Sequence, residues 1–385
     1  TAANEILAIS DKTTFSGTGA ATKKATIQAW AYWWKGYAYS RIGSTYYAGL
    51  IQNAGTSDAT TNGNYVTKEA IITEANSNFD KAVTALSAAS SATDYSATLG
   101  RLIPAFLQKG KIIQTRKKRT FEIVPTHDVD IPFLFPNFIY GLRTIARYLV
   151  SPTYFWDGIN YLRFYLKGKD PYDTHDVFLD GAEKLGVKAH FFFMAGCHNR
   201  FDPRDQLEHP KVKTLITKIK NRGHQIGFHP SYKSYDNTPI FSQEKNRLEK
   251  IVGQKVVIGR QHYLRFENPT TWNLWENEKM EWDSTMSYAD EIGFRNGVCY
   301  PFPVFDILNR KKLNLMERPL ILMEGTLGLY MDITLDDAEN RVGELMNQVK
   351  KYEGDFVFLW HNSSLNLRQY SKYNSILTEI YNYKK

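Results

Sequence analysis

The chain has 385 residues, 43% of them hydrophobic and 23% charged, with a net charge of +8. That balance describes a globular chain long enough for two or three domains and excludes a disordered polymer. Two cysteines, Cys197 and Cys299, are too few for a disulfide scaffold or a cysteine-rich zinc site, and no run of about 18 apolar residues marks a membrane-spanning helix.

The basic charge forms no continuous stripe, so nucleic acid is not an expected partner. Its densest cluster, Arg116 to Arg119, reads as a solvated linker. No charged-plus-apolar leader opens the sequence. This favours a cytoplasmic protein, or one of the cell envelope if a leader has been removed.

Residues 1–110 hold nine Lys+Arg and seven Asp+Glu, which leaves 39 and 33 for the rest of the chain. The jump in charge density predicts two domains, 1–110 and 111–385. In the first, residues 14–24 and 55–65 read as loops rich in Gly, Ser, Thr and Asn. Ile27, Trp30, Trp34 and Tyr37 recur at helical spacing with an aromatic face, as do Ile71, Ile72, Ala75, Phe79, Ala82, Val83 and Leu86. Leu99, Leu102, Ile103 and Phe106 begin a third helix. The unit is expected to be a small all-α, tetratricopeptide-like array.

The second domain alternates strands and helices. Strands are predicted at 121–125, 187–194, 224–228, 256–263 and 355–360. Helices are predicted at 136–166, 177–186, 211–221, 242–252 and 334–350, the last opened by Thr334 as N-cap with Asp337 at N3. Such alternation implies an α/β fold with a mostly parallel sheet or barrel. Polar residues gather where these strands end: Thr126, His127, Asp128 and Asp130; His229; Arg260, Gln261 and His262; His361 and Asn362. Parallel βα folds collect their active sites on that edge.

Two resemblances follow. The runs AWAYWWKGYAYSRIGSTYYAGLI (29–51), EANSNFDKAVTALSAASS (74–91) and GRLIPAFLQKGK (100–111) resemble part of the SusD/RagB glycan-binding proteins, without their lipid-bearing Cys or most of their binding domain. The runs THDVD (126–130), AEKLGVKAHFFF (182–193), GHQIGFHPSY (223–232), GRQHYLRF (259–266), MEWDSTMSYADEIGFRNGVCYPF (280–302) and FVFLWHN (356–362) resemble the polysaccharide deacetylases of the NodB-homology fold. Each run is short; their order carries the resemblance, over about residues 115–385.

The second resemblance implies a distorted (β/α) barrel that binds a divalent metal, usually zinc, and removes acetyl groups from an N- or O-acetylated sugar. By position it implies Asp128 as general base, Asp130 and His229 as metal ligands and His361 as general acid. Arg260, Tyr263, Asp283, Arg295 and Trp360 would line the substrate groove.

The sequence departs from the pattern at Lys233, where the family has a second metal-binding His, and at Val129, which separates two normally adjacent Asp. An ammonium is a poor ligand, so His262 is the expected third ligand, with His198 a weaker candidate. A site with two protein ligands and more water, or with no metal, stays open. So do two other functions, an inactive deacetylase-like glycan-binding protein and a SusD-like nutrient-binding protein. His127, His190 and His224 read as structural, His175 and His209 as solvated. The sequence sets neither the sugar nor the oligomeric state.

Overall fold

The computed structural model describes residues 2–16, 20–45, 48–51, 66–88, 119–197 and 199–383. The predicted helix beginning at Leu99, the basic cluster up to Lys118, and His198 lie outside them. The chain divides into two compact units, Thr1–Lys118 and Arg119–Lys385.

In the first unit α1 (Ala2–Lys12), which the sequence reading left as a loose start, precedes α2 (Ala20–Thr45) and α3 (Lys68–Ala88). A two-residue antiparallel pair, β1 (Ala48–Gly49) and β2 (Val66–Thr67), bridges α2 and α3. Tyr39, Ile71 and Ala75 form the small core. A Cβ at Gly36 would meet the Phe79 ring at 2.9 Å, so glycine sets how closely α2 and α3 approach. The aromatic face expected to be buried is not: Trp30, Trp34 and Tyr37 are exposed, and the small Ala29 and Ala31 are buried instead.

The second unit is an α/β fold around one nine-stranded sheet. Its strands are β3 (Glu122–Val129), β4 (His190–Met194), β5 (Gln225–His229), β6 (Ile258–Gly259), β7 (Trp282–Asp283), β8 (Phe302–Asp306), β9 (Lys311–Glu317), β10 (Leu322–Met323) and β11 (Asp355–Leu359). Their order across the sheet is β10-β11-β3-β4-β5-β6-β7-β9-β8. Every pairing is parallel except β8 with β9. The C-terminal ends of β3, β5, β6, β10 and β11 therefore share one edge. No pairing joins β10 to β8 among the described residues.

The helices are α4 (Phe138–Leu149), α5 (Phe155–Leu166), α6 (His175–Leu185), α7 (Pro210–Asn221), α8 (Thr238–Val252), α9 (Thr270–Asn277), α10 (Leu335–Lys351), α11 (Arg368–Ser371) and α12 (Asn374–Tyr381). Their ends follow local chemistry. Gly186 at φ 67° closes α6 in the left-handed region, Asn237 caps α8, and Thr334 caps α10 by accepting from the Asp337 N–H. The core is built on strands buried on both faces, with Phe191, Phe193, Phe228, Phe356 and Phe358 fully enclosed.

Three expectations change. The single helix over 136–166 is two, because the turn containing Pro152 interrupts it between α4 and α5. The strand over 256–263 shrinks to Ile258–Gly259, and His262–Leu264 form a 3-10 turn beyond it. Between residues 270 and 323 lie α9 and β7 to β10, short elements whose periodicity gave no signal in the sequence.

Candidate active site

The site starts on β3, where residues alternate between the two faces of the sheet. Thr126 and Asp128 share one face; His127 points to the other. His127 stacks on Phe178 at 3.9 Å, bonds the Trp360 carbonyl through Nδ1 at 2.8 Å, and is pushed down to about 3 by burial. It is a neutral core histidine, as read from the sequence. Burial also lowers His190, to about 3, and His224.

Asp128 is buried and its Oδ1 accepts from Arg260 Nη1 at 2.8 Å. The Arg260 guanidinium is itself fully enclosed. Nε donates to Ser284 O, and Nη2 to Thr126 Oγ1 and Ser284 Oγ, all at 2.9–3.0 Å. Arg260 was expected to touch substrate. With every donor direction turned inward, it instead positions Asp128, whose Oδ2 stays on the side of His229, 3.8 Å from Nε2.

Asp130 lies just past the end of β3. Its Oδ1 is 3.2 Å from His229 Nε2 and 3.9 Å from His262 Nε2. One ligand atom from each of Asp130, His229 and His262 falls within 4.8 Å of the others. The opposite ring nitrogens are committed: His229 Nδ1 donates to Arg260 O at 2.7 Å, and His262 Nδ1 to Asp202 Oδ1 at 3.1 Å. That fixes each Nε2 as the lone-pair nitrogen of the neutral ring, facing a carboxylate. Two lone pairs turned toward an anion are unfavourable unless a proton or a cation lies between them. Asp130 Oδ1 is also buried and, apart from His229 Nε2 at 3.2 Å, has no hydrogen-bond partner among the described residues. One carboxylate and two imidazoles are the donor set of a borderline divalent cation such as zinc, so the residues fit that ion.

Without a cation the charges redistribute. Burial lowers the His229 imidazole, but the Asp128 and Asp130 carboxylates outweigh it and the net shift is upward. Burial raises Asp130, yet its bond to His229 and the nearby charge of His262, His229 and His361 hold it below the ordinary carboxylate range.

His361 follows β11 on the same edge, with Nε2 3.9 Å from Asp130 Oδ2. Its Nδ1 donates to Glu324 Oε1 at 2.6 Å, and the His361 N–H donates to the same oxygen at 3.0 Å. Burial alone would lower the imidazole; the charge and hydrogen bond of Glu324, then Asp130 and Asp128, push it up to about 10. Glu324 moves down in return, the pull of His361 outweighing burial. Asn362 donates to Ile131 O and Tyr172 O, fastening the segment that leaves Asp130.

Three other groove candidates sit elsewhere. Trp360 is fully enclosed in the main core and has no ring face for a sugar. Asp283 is enclosed on β7, accepts from Thr285 N at 3.0 Å, and is raised to about 7 by burial. Thr285 Oγ1 accepts from Gln261 N at 3.0 Å, so Asp283 supports the backbone next to Arg260 and His262 from behind. The Arg295 guanidinium donates to Ser287 O at 2.7 Å, a loop-holding bond.

Of the two ring-bearing candidates only Tyr263 keeps an accessible ring, 56% exposed and 4.6 Å from the His262 ring. Phe201 and Tyr232, stacked at 4.5 Å, continue this rim. Tyr263 and Leu264 adopt φ of 58° and 51°, a left-handed backbone that costs non-glycine residues about 1–3 kcal/mol each. Both residues lie in the turn that begins with His262. Lys233 is exposed on the turn after β5.

The sequence reading missed Asp202 and Glu324, the carboxylates behind His262 and His361. Glu324 had a signal, since it directly follows a short apolar run, Leu320–Met323. Asp202 sits in a loop where an aspartate is ordinary. His175, read as solvated, is buried and its Nε2 donates to Pro132 O at 3.2 Å.

No family model matches the chain, and no curated protein matches it. Among solved structures, a protein assigned as a polysaccharide deacetylase from Mycobacterium smegmatis aligns at 16% identity over 70% of this chain and 86% of its own, with a TM-score of 0.44. Puue allantoinase aligns at 9% identity over 70% and 89%, with a TM-score of 0.41. A probable polysaccharide deacetylase from Pseudomonas aeruginosa PAO1 aligns at 11% identity over 69% and 84%, also at 0.41.

Proposed function

We propose that the second unit is a metal-dependent hydrolase that removes an acetyl group from an N- or O-acetylated sugar. The observation that carries the reading is the convergence of Asp130 Oδ1, His229 Nε2 and His262 Nε2, each imidazole held by a bond on its far nitrogen. These three residues would hold the ion, with zinc the best match to the donor set. When bound, the metal supplies Lewis acidity toward an acetyl carbonyl and lowers the pKa of water to about 7.

The chain's own residues divide the proton work. Asp128 Oδ2 takes the proton of the attacking water, while Arg260 on Oδ1 keeps the carboxylate aimed. His361 Nε2–H gives a proton to the departing sugar nitrogen or oxygen, and Glu324 on Nδ1 keeps the ring protonated until then. Tyr263 offers a ring face to the sugar at the rim.

The experiment is acetate release by zinc-loaded protein from chitooligosaccharides and O-acetylated sugars. Asp128→Asn and His361→Gln should each cut turnover by roughly 10²–10⁴-fold. Turnover unchanged in Asp128→Asn removes Asp128 as base. A glycan-holding protein without catalysis would bind the same sugars and release no acetate. The SusD/RagB likeness of residues 29–111 rests on the sequence runs alone and adds no activity to this proposal.

A further inference from the structure

The α4–α5 hairpin, inserted between β3 and α6, has a surface that the hydrolase reading does not use. Eight of the exposed large apolar side chains fall between residues 138 and 166, so the patch is local. On α4 and just beyond it, Phe138 is 69% exposed, Ile139 62% and Val150 81%, with Leu142 between them. On α5, Trp156 is 62% exposed and Leu166 76%.

The pattern around α4 is ordered. At 3.6 residues per turn, the buried Gly141, Thr144 and Ile145 share one face. Phe138, Ile139, Leu142, Ala146 and Val150 fill an arc of about 120° beside it, and Arg143 and Arg147 take the next ~60°. One side of the helix thus faces the protein, a second is apolar and faces water, and a third is cationic. On α5, Arg163 and Lys167 sit on the same exposed side as Phe155, Trp156 and Leu166.

Segment 138–169 carries five cations, Arg143, Arg147, Arg163, Lys167 and Lys169, against one carboxylate, Asp157. All five cations are exposed. None of them sits in an ion pair among the described residues. An exposed apolar arc of aromatic and aliphatic side chains beside unpaired cations is the composition that lies in the boundary between lipid headgroups and acyl chains. No helix among the described residues is long and apolar enough to cross a membrane, so the hairpin would lie on the surface.

We propose that the α4–α5 hairpin seats the protein on an anionic phospholipid bilayer. Asn362, next to His361, holds Ile131 at the base of the hairpin, and Asp170 holds Leu134 and Phe135 N–H at 3.0 and 2.6 Å. These bonds tie the base of the hairpin to the loop that leaves Asp130. The bilayer contact itself is independent of the hydrolase reading.

The test is flotation of the full chain with vesicles of phosphatidylcholine and phosphatidylglycerol (3:1) and with phosphatidylcholine alone, at low and high salt. The expected result is binding to the anionic vesicles that weakens with salt. It should fall roughly tenfold or more in Arg143→Glu/Arg147→Glu and in Phe138→Ser/Ile139→Ser/Trp156→Ser. Circular dichroism and urea unfolding establish that these variants are folded, and Trp33→Ser/Trp34→Ser controls for the exposed rings of α2. The proposal is overturned if wild type does not float, if folded hairpin variants float as well as wild type, or if only the α2 control loses binding. It is equally overturned if the hairpin variants change self-association in the absence of lipid while vesicle binding stays nil.

Discussion

His262 Nε2 stands 3.9 Å from Asp130 Oδ1, while Lys233, four residues after His229, is exposed to water. The ring reaches the cluster from the turn after β6 and is anchored from behind by Asp202. His262→Ala should therefore lower zinc affinity by more than ~100-fold, and Asp202→Asn by roughly 10–100-fold through loss of ring orientation. Lys233→Ala should leave zinc content unchanged. Titration against a chelating indicator reads all three.

Arg260 and Asp128 form an ion pair enclosed on every side. Removing the cation leaves a buried carboxylate without its partner. Arg260→Met should destabilise the second unit by about 3–5 kcal/mol, read by denaturant unfolding, and should abolish acetate release. Arg260→Lys keeps the charge but not the fork of donors, and is expected to fall between the two.

The His361–Glu324 pair makes the stability of the metal-free protein depend on pH. His361 rises from 6.5 to about 10, so its contribution is complete below pH 6.5 and is lost as the pH climbs through about 10. Glu324 is lowered from 4.5, so its contribution is present above that pH and is lost on acidification. The pair gives most between about pH 4.5 and 6.5. Urea midpoints measured at about pH 6 and pH 9 should differ more for wild type than for His361→Gln or Glu324→Gln. Bound zinc should pull the alkaline limb to lower pH, because a nearby cation disfavours the imidazolium.

A Cβ at Gly259 would lie 2.0 Å from the Phe228 carbonyl oxygen, a backbone atom that cannot swing aside. Gly259→Ala must push β6 away from β5, and β6 carries Arg260 and His262 at its end. A loss of about 1–3 kcal/mol is expected together with a marked drop in zinc affinity, read by unfolding and by metal titration. If the substitution leaves both unchanged, the close approach of β5 and β6 is not what sets the site.

The sequence could be read furthest where chemistry and strand periodicity coincide. Asp128, Asp130, His229 and His361 each sit at or just past the end of an apolar run, and the parallel order of β3, β5 and β11 brings those ends together. Trp360 was offered as a ring that could stack a sugar, with core packing as the default, and it faces the core, since adjacent strand residues face opposite sides. Arg260 and Asp283 were placed in the groove by the resemblance of the runs 259–266 and 280–302. Arg260 is enclosed by Asp128, 132 residues away, and Asp283 by its neighbour Thr285, which in turn accepts from the distant Gln261 N–H. Asp202 and Glu324 sit behind the His262 and His361 rings and hold them. Nothing local separates such a carboxylate from a loop residue until the fold brings the ring to it.

The most direct test of the metal-hydrolase account is an anomalous difference map at the zinc edge from crystals of the zinc-loaded protein. The account predicts one strong peak within bonding distance of Asp130 Oδ1, His229 Nε2 and His262 Nε2, with Asp128 and His361 beside it and Lys233 turned away. A map with no peak there, or with a peak that His262 does not bond, would contradict it.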